Sequence, residues 1–205
     1  MTAITTSSQR GIALIVVLIW LMVATLLAVS AVQIGLQEQK AARSQRDQDI
    51  ALQAAEAGLL DAEMDIENSP DLRLSRSALF GRRSMAGFPQ EQEPLCQRGG
   101  RNPYQGLCRL ADASVAPAWQ QVDLSDEAAA TTVAYGRFTG RSMQTGVGML
   151  PARLPRYLIE LMRYRQVGES AEQPEYFYRI TAIGFGASGT SQVVLQSYYR
   201  KGNGS

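Results

Sequence analysis

Histidine is absent from this 205-residue chain, which removes Ser-His-Asp triads, Cys-His pairs and His-ligated zinc sites together. Cysteine is scarce, with two residues. Cys96 and Cys108 are too far apart for a C-x-x-C redox pair. They read either as a structural disulfide, which an exported body would retain, or as two buried reduced thiols. A bridge closing a loop of this size contributes about 2–3 kcal/mol in the chain-entropy picture. An excess of one charge is also missing, because 20 Lys and Arg stand against 19 Asp and Glu for a net charge of +1. No dense basic block interleaves with aromatics, so nothing electrostatic favours a nucleic-acid partner.

The carboxylates do not assemble into a recognisable centre. Asp123, Asp126 and Glu127 around Ser125 are calcium-type oxygen donors, but the EF-hand spacing and glycine are missing, and a solvated acidic turn is the preferred reading. Glu56, Asp61, Glu63 and Asp65 read as scattered around a helix, and no general acid or base is assigned to them. The expectation is a chain without catalytic residues, cofactor-binding residues or metal ligands, and not an enzyme. A membrane-tethered enzyme would need a cluster of polar groups that the sequence does not display.

What the chain does have is one long hydrophobic run. A short polar leader ending Gln9-Arg10-Gly11 leads straight into an uncharged stretch from Ile12 to Val32. About twenty apolar residues, each advancing ~1.5 Å, cross a hydrocarbon layer ~30 Å thick. A cleaved secretory signal would cut after Ala28-Val29-Ser30, before Ala31. The apolar core is longer than the usual ~7–15 residues, however, and the pattern beyond it stays helical. An uncleaved signal anchor is the other plain reading. Arg10 is the only charge ahead of the span, so a single pass puts the N-terminus in the cytoplasm and the body on the exported side.

Past the span the helical pattern changes character without stopping. From Gln33 to Asp49 it is mostly polar, with pairs such as Arg43 and Asp47 at i,i+4. An apolar stripe then returns at Leu52, Ala55, Leu59, Ala62 and Ile66, whose 3 and 4 spacing marks the face that packs on a body. Gln53, Glu56, Glu63 and Glu67 point elsewhere. Asn68-Ser69-Pro70 ends the helix, because proline cannot continue the ladder. From Ile12 to Asn68 such a helix is about 85 Å long.

The remainder predicts an α+β body. Residues 69–131 form a connecting region, punctuated by Gly and Pro, with a short helix expected at Arg73 to Phe80. Strands are expected at Thr132 to Phe138, Arg156 to Arg165, Tyr176 to Gly184 and Ser191 to Arg200, the last two joined as a hairpin through Gly184-Phe185-Gly186-Ala187-Ser188-Gly189. Strands following a long helix, without βαβ alternation, predict an antiparallel sheet with the helix on one face. Tyr157, Ile159 and Leu161 alternate with Leu158, Glu160 and Met162, so one side is core and the other partly wet. Tyr164, Tyr176, Tyr178, Tyr198 and Tyr199 read as half-buried sheet residues in preference to a recognition surface. Lys201 to Ser205 reads as a frayed tail.

Two stretches carry a family resemblance. Arg10-Gly11 followed by Ile12-Ala13-Leu14-Ile15-Val16-Val17-Leu18 resembles a type IV prepilin leader junction. The stretch Ala51-Leu52-Gln53-Ala54-Ala55-Glu56-Ala57-Gly58-Leu59 resembles the helical signature of PilX-type minor pilins, with Ala54, Ala55, Glu56, Ala57 and Gly58 at its centre. Tyr178-Arg179-Ile180-Thr181-Ala182 with Gly184, and Val193 to Tyr199, match more weakly. The resemblance implies a pilin-like α+β fold, cleavage between Gly11 and Ile12 by a prepilin peptidase, and N-methylation of Ile12. It divides the chain into a leader (1–11), a membrane and filament-core helix (12–33), the periplasmic half of the same helix (34–68), the connecting region with its disulfide (69–131), the sheet (132–200) and the tail (201–205).

Most pilins carry glutamate at the fifth mature position, where this chain has Val16. In those pilins the buried carboxylate meets the amino terminus of the subunit assembled before it. A subunit that starts a filament has no predecessor and gains nothing from a buried, unpaired carboxylate, so valine fits an initiating position. Tolerated internal placement is the alternative. The resemblance therefore implies a minor pilin that primes type IV pilus assembly at or near the tip, supporting biogenesis, adhesion and twitching. Its implied partners are other minor pilins, the major pilin, the prepilin peptidase, the inner-membrane platform and a large tip adhesin. The implied location is the bacterial inner membrane and then the cell surface. A tip-proximal minor pseudopilin of a type II secretion system and a non-polymerising anchored scaffold remain alternatives.

Overall fold

The computed structural model describes residues 10–110, 112, 114–164 and 174–202. The first nine leader residues, Arg165 and the last three tail residues lie outside these. Helix α1 spans Arg10–Glu67. The chain divides into two compact units, Met1–Gln45 and Arg46–Ser205, and α1 contributes to each.

In the first unit the described side chains are exposed from Ala13 onward. The two hydroxyls of the apolar stretch are satisfied locally. Thr25 Oγ1 donates to the Met22 carbonyl at 2.8 Å and Ser30 Oγ to the Leu26 carbonyl at 2.9 Å, so neither opposes burial in an apolar medium.

The second unit packs the last turns of α1 on a five-stranded sheet. Its strands are β1 (Leu107–Cys108), β2 (Val133–Ala134), β3 (Arg156–Tyr164), β4 (Glu175–Phe185) and β5 (Gln192–Tyr199). The order is β1-β3-β4-β5, with β2 also paired to β3. The three long strands form an antiparallel meander, with Tyr157 opposite Ala182 and Ala182 opposite Leu195. The sheet is mixed, because β1 joins β3 in parallel, Leu107 opposite Ile159. The strand expected at Thr132 to Phe138 shrinks to Val133–Ala134, since Gly136 turns the chain at φ 79°. The helix expected at Arg73 to Phe80 is a single 3-10 turn at Ser77–Leu79. Helix α2, Ala118–Gln121, lies in the connecting region.

Both faces of β3 are covered, which corrects the expectation of one wet side. Tyr157, Ile159 and Leu161 join Tyr178, Ile180, Ala182, Ala62 and Ile66 in a core between sheet and helix. Leu158 joins Ile183 and Phe185 under Cys96, Cys108, Ala118 and Leu124 on the other face. The connecting region folds back over the sheet there, held by the Cys96–Cys108 disulfide. Tyr176 and Tyr178 are buried, Tyr164 and Tyr199 half-buried and Tyr198 exposed.

Candidate assembly interface

Two features of α1 bear on function. The first is the apolar segment Ala13–Ser30, 18 residues long and apolar enough to cross a membrane, with no part of it buried by the rest of the chain. Gly11 and Ile12 lie within α1, whose first residue is Arg10. Val16 is 47% exposed on this segment, so its isopropyl group is available to lipid or to a neighbouring helix. None of the described residues covers this surface.

The second feature is the joint between α1 and the sheet, where the small residues of the signature are explained. A Cβ on Gly184 of β4 would sit 2.2 Å from the Ala51 carbonyl oxygen and 2.3 Å from the Ala55 amide nitrogen. The strand therefore lies directly on the helix backbone, and only small side chains fit around the crossing. Ala51, Ala54, Ala55 and Gly58 are all buried there, whereas Glu56 is exposed and Ala57 half-buried. A Cβ on Gly58 would meet Ala182 Cβ at 3.3 Å and Pro155 Cβ at 3.4 Å.

This corrects the expected stripe. Leu52 is 39% exposed, not buried, because the crossing at Gly184 leaves no room for a leucine and turns the helix so that alanines face the sheet. Asp61 and Asp65, expected to scatter, both point inward and are fully buried. They are four residues apart and so share a face, a spacing that was present in the sequence.

The two aspartates lock the helix to the body. Asp65 receives the Arg76 guanidinium, Nη2 to Oδ2 at 2.6 Å with Nε at 3.0 Å, and the Tyr157 hydroxyl at 2.9 Å. Arg76 Nη1 donates to the carbonyls of Pro103 at 3.0 Å and Gln105 at 2.6 Å. Its guanidinium carbon stands 3.7 Å from the Phe138 ring centre. Burial, with Asp65 alongside, pushes the Tyr157 hydroxyl well above its ordinary pKa, so it stays a donor. Asp61 accepts from Thr139 Oγ1 and, at 2.8 Å, from the Gly136 amide. Burial raises its pKa against the opposing pull of those two bonds.

Three further contacts tie α1 to β5 and the hairpin before it. Asp47 accepts from the Ser188 amide at 3.0 Å and hydroxyl at 2.6 Å, and these bonds, the hydroxyl first, lower its pKa to about 2. This engages the carboxylate that the sequence offered to Arg43. The Tyr199 hydroxyl donates to Glu67 at 2.9 Å, and burial followed by that carboxylate raises its pKa to about 12. Ser197 Oγ reaches Glu63 at 3.5 Å.

On the opposite face of the sheet Glu160 is buried. It accepts both Arg179 nitrogens at 2.8 Å and the Ala118 amide at 2.6 Å, which pins the start of α2 to β3. The acidic triplet of the sequence is engaged in turns. Asp123 accepts from the Ser125 amide and hydroxyl, Asp126 from the Ala128 and Ala129 amides, and Glu127 faces Arg153 at 3.6 Å. No cluster of three or more metal-type side chains occurs among the described residues.

A helix that is apolar and uncovered along its first part, and packed on a sheet along its last, defines a pilin-like α+β protein. Residues 92–201, more than half of the chain, match the family described as type IV pilus assembly protein PilX C-terminal region. Residues 10–60 match the PilX N-terminal family. The chain therefore belongs to the PilX family of type IV pilus assembly minor pilins. No curated protein and no solved structure matches it.

Proposed function

We propose that the chain is a minor pilin that primes type IV pilus assembly and occupies a position at or near the filament tip. The observation that carries this reading is one helix with two environments, an uncovered apolar segment at Ala13–Ser30 and a locked joint from Ala51 to Ile66. In the inner membrane the apolar segment contacts lipid. In the filament Leu14, Val17, Leu18 and Leu21 exchange lipid for sister helices, and close packing supplies the gain, since lipid tails are as apolar as leucine.

Cleavage after Gly11 and methylation of Ile12 prepare the new terminus. Other minor pilins, the major pilin, the prepilin peptidase, the inner-membrane platform and a tip adhesin are the partners of this reading, with adhesion and twitching downstream. The absence of a carboxylate at Val16 supports an initiating position, because an initiator has no preceding amino terminus to pair with. The exported location also suits the Cys96–Cys108 bridge.

Intact-mass analysis of the chain extracted from its own membranes tests this. The expected mass lacks residues 1–11 and carries one methyl on Ile12. A chain that still begins at Met1 while pili grow normally would overturn the reading. For tip placement the test is Val16→Glu, which should bring no gain in incorporation. A marked rise along the filament shaft would count against it.

A further inference from the structure

Among the described residues, strand β5 is the edge of the sheet, paired to β4 alone. Its sequence, Gln192 to Tyr199, holds no charge and no proline. Natural edge strands are commonly guarded by lysine, proline or a bulge, and none of these lies within β5. The bond from the Gly186 amide to the Ser191 carbonyl at 2.8 Å sets the phase of the β4–β5 ladder. In that phase the amides and carbonyls of residues 193, 195, 197 and 199 face β4, and those of Gln192, Val194, Gln196 and Tyr198 face outward. Val194 and Tyr198 are also exposed through their side chains, at 45% and 63%.

Helix α1 runs beside this edge, fixed by the contacts of Ser197 with Glu63 and Tyr199 with Glu67. The same side of the helix, at spacings of three and four, carries Glu56 and Leu60, and Leu60 is 55% exposed. None of Glu56, Glu63 and Glu67 has a basic group within ion-pair distance among the described residues. An uncharged edge of eight residues thus lies beside a ridge bearing three carboxylates outside any ion pair, of which Glu67 alone feels a nearby cation, the Lys201 ammonium.

We propose that β5 accepts a β-strand from another pilus-assembly subunit, apolar where it meets Val194 and Tyr198 and basic where it meets the α1 carboxylates. An extended chain is the protein segment that can replace water along a whole row of outward backbone donors and acceptors, and the carboxylate ridge selects lysine or arginine at alternate positions of the incoming strand. This inference rests on the pilus-assembly reading and adds a docking mode to it.

The test places the photo-crosslinking residue p-benzoylphenylalanine at Gln196 in the full chain, expressed in its own cells. The expected product joins position 196 to a segment of a second pilus-assembly protein with alternating apolar and basic residues. Val194→Pro should reduce that product at least tenfold while the chain keeps its disulfide and its protease resistance, because the amide it removes faces away from β4. The double change Glu56→Gln and Glu63→Gln should reduce it severalfold. No product, a product with a second copy of this chain, a lipid adduct, or a product unaffected by Val194→Pro would each overturn the proposal. Piliation separates this from the broader reading. If deletion of the chain abolishes pili and Val194→Pro does not, only the strand-addition proposal fails; if deletion leaves pili intact, the assembly reading fails as well.

Discussion

Replacing Gly184 with alanine adds one methyl at the point where β4 lies on the α1 backbone. The new carbon would stand 2.2 Å from the Ala51 carbonyl oxygen, 2.3 Å from the Ala55 amide nitrogen and 2.9 Å from the Ala54 carbonyl carbon. Ordinary contacts require about 3.4 Å, so helix and strand must part by roughly 1 Å. The obstacles are backbone atoms, which cannot rotate away. The helix is also held a few turns further on by Asp61 and Asp65, so it cannot simply slide. Overpacking of this kind costs typically about 1–3 kcal/mol, and the anchored geometry places Gly184→Ala near 3. In a folded unit of this size about 1 kcal/mol moves Tm by roughly 2–4 °C, so a fall of roughly 6–12 °C is expected in detergent-solubilised full-length chain followed by circular dichroism. Gly58→Ala is the internal control. Its nearest contacts are side-chain carbons, Ala182 Cβ at 3.3 Å and Pro155 Cβ at 3.4 Å, and it gains up to about 1 kcal/mol of helix propensity, so its Tm should lie within a few degrees of the parent. An unchanged Tm for Gly184→Ala, or a larger fall for Gly58→Ala, would refute the direct helix-on-strand contact.

Three other outcomes follow from the joint and the staple. Asp65→Asn leaves the buried Arg76 without its carboxylate and should destabilise by about 3–5 kcal/mol, whereas Asp71→Asn, which loses a pair with the exposed Arg73, should leave the unfolding midpoint nearly unchanged; urea unfolding compares them. Asp61 and Asp47 respond to pH in opposite senses. The raised pKa of Asp61 gives stability that is complete below its unfolded value of 3.8 and is lost as pH rises through the folded value. Asp47, lowered to about 2, contributes above 3.8 and loses that contribution as pH falls through about 2. Stability profiles of Asp61→Asn and Asp47→Asn should therefore diverge from the parent in opposite directions, and parallel profiles would contradict the assignment. Replacing Cys96 and Cys108 together with serine should destabilise by about 3 kcal/mol, and reduction of the parent should reproduce the loss of midpoint in the same denaturant series.

Much of the helix was legible locally. Its apolar span, its return to a one-sided pattern and its end at Asn68-Ser69-Pro70 depend on residues close in sequence, and the observed end at Glu67 reflects the proline that cannot continue the ladder. The long strands were legible for the same reason, as runs of Tyr, Ile, Val and Leu between turn residues. Which face of the helix turns inward was not. A periodicity search ranks Leu52 above Asp61 and Asp65 because it scores side chains by their hydrophobicity alone. The partners that make those aspartates suitable for burial come from Arg76, Thr139, Gly136 and Tyr157, between 11 and 92 positions away. Gly184 likewise reads as the first residue of the hairpin turn, whereas it lies inside β4 opposite Val193 with Ala51 and Ala55 against it.

The amino-acid sequence by itself determined the long helix, the apolar span, the α+β class and the family, because each rests on composition and period over neighbouring residues. Only the tertiary structure decided that two aspartates serve as inward anchors, that the connecting region closes the second face of the sheet, and that β5 is left as an open edge. Those features depend on which distant backbone and side-chain groups meet. A buried charge or an unpaired strand edge is defined by its neighbours and not by its own residue type.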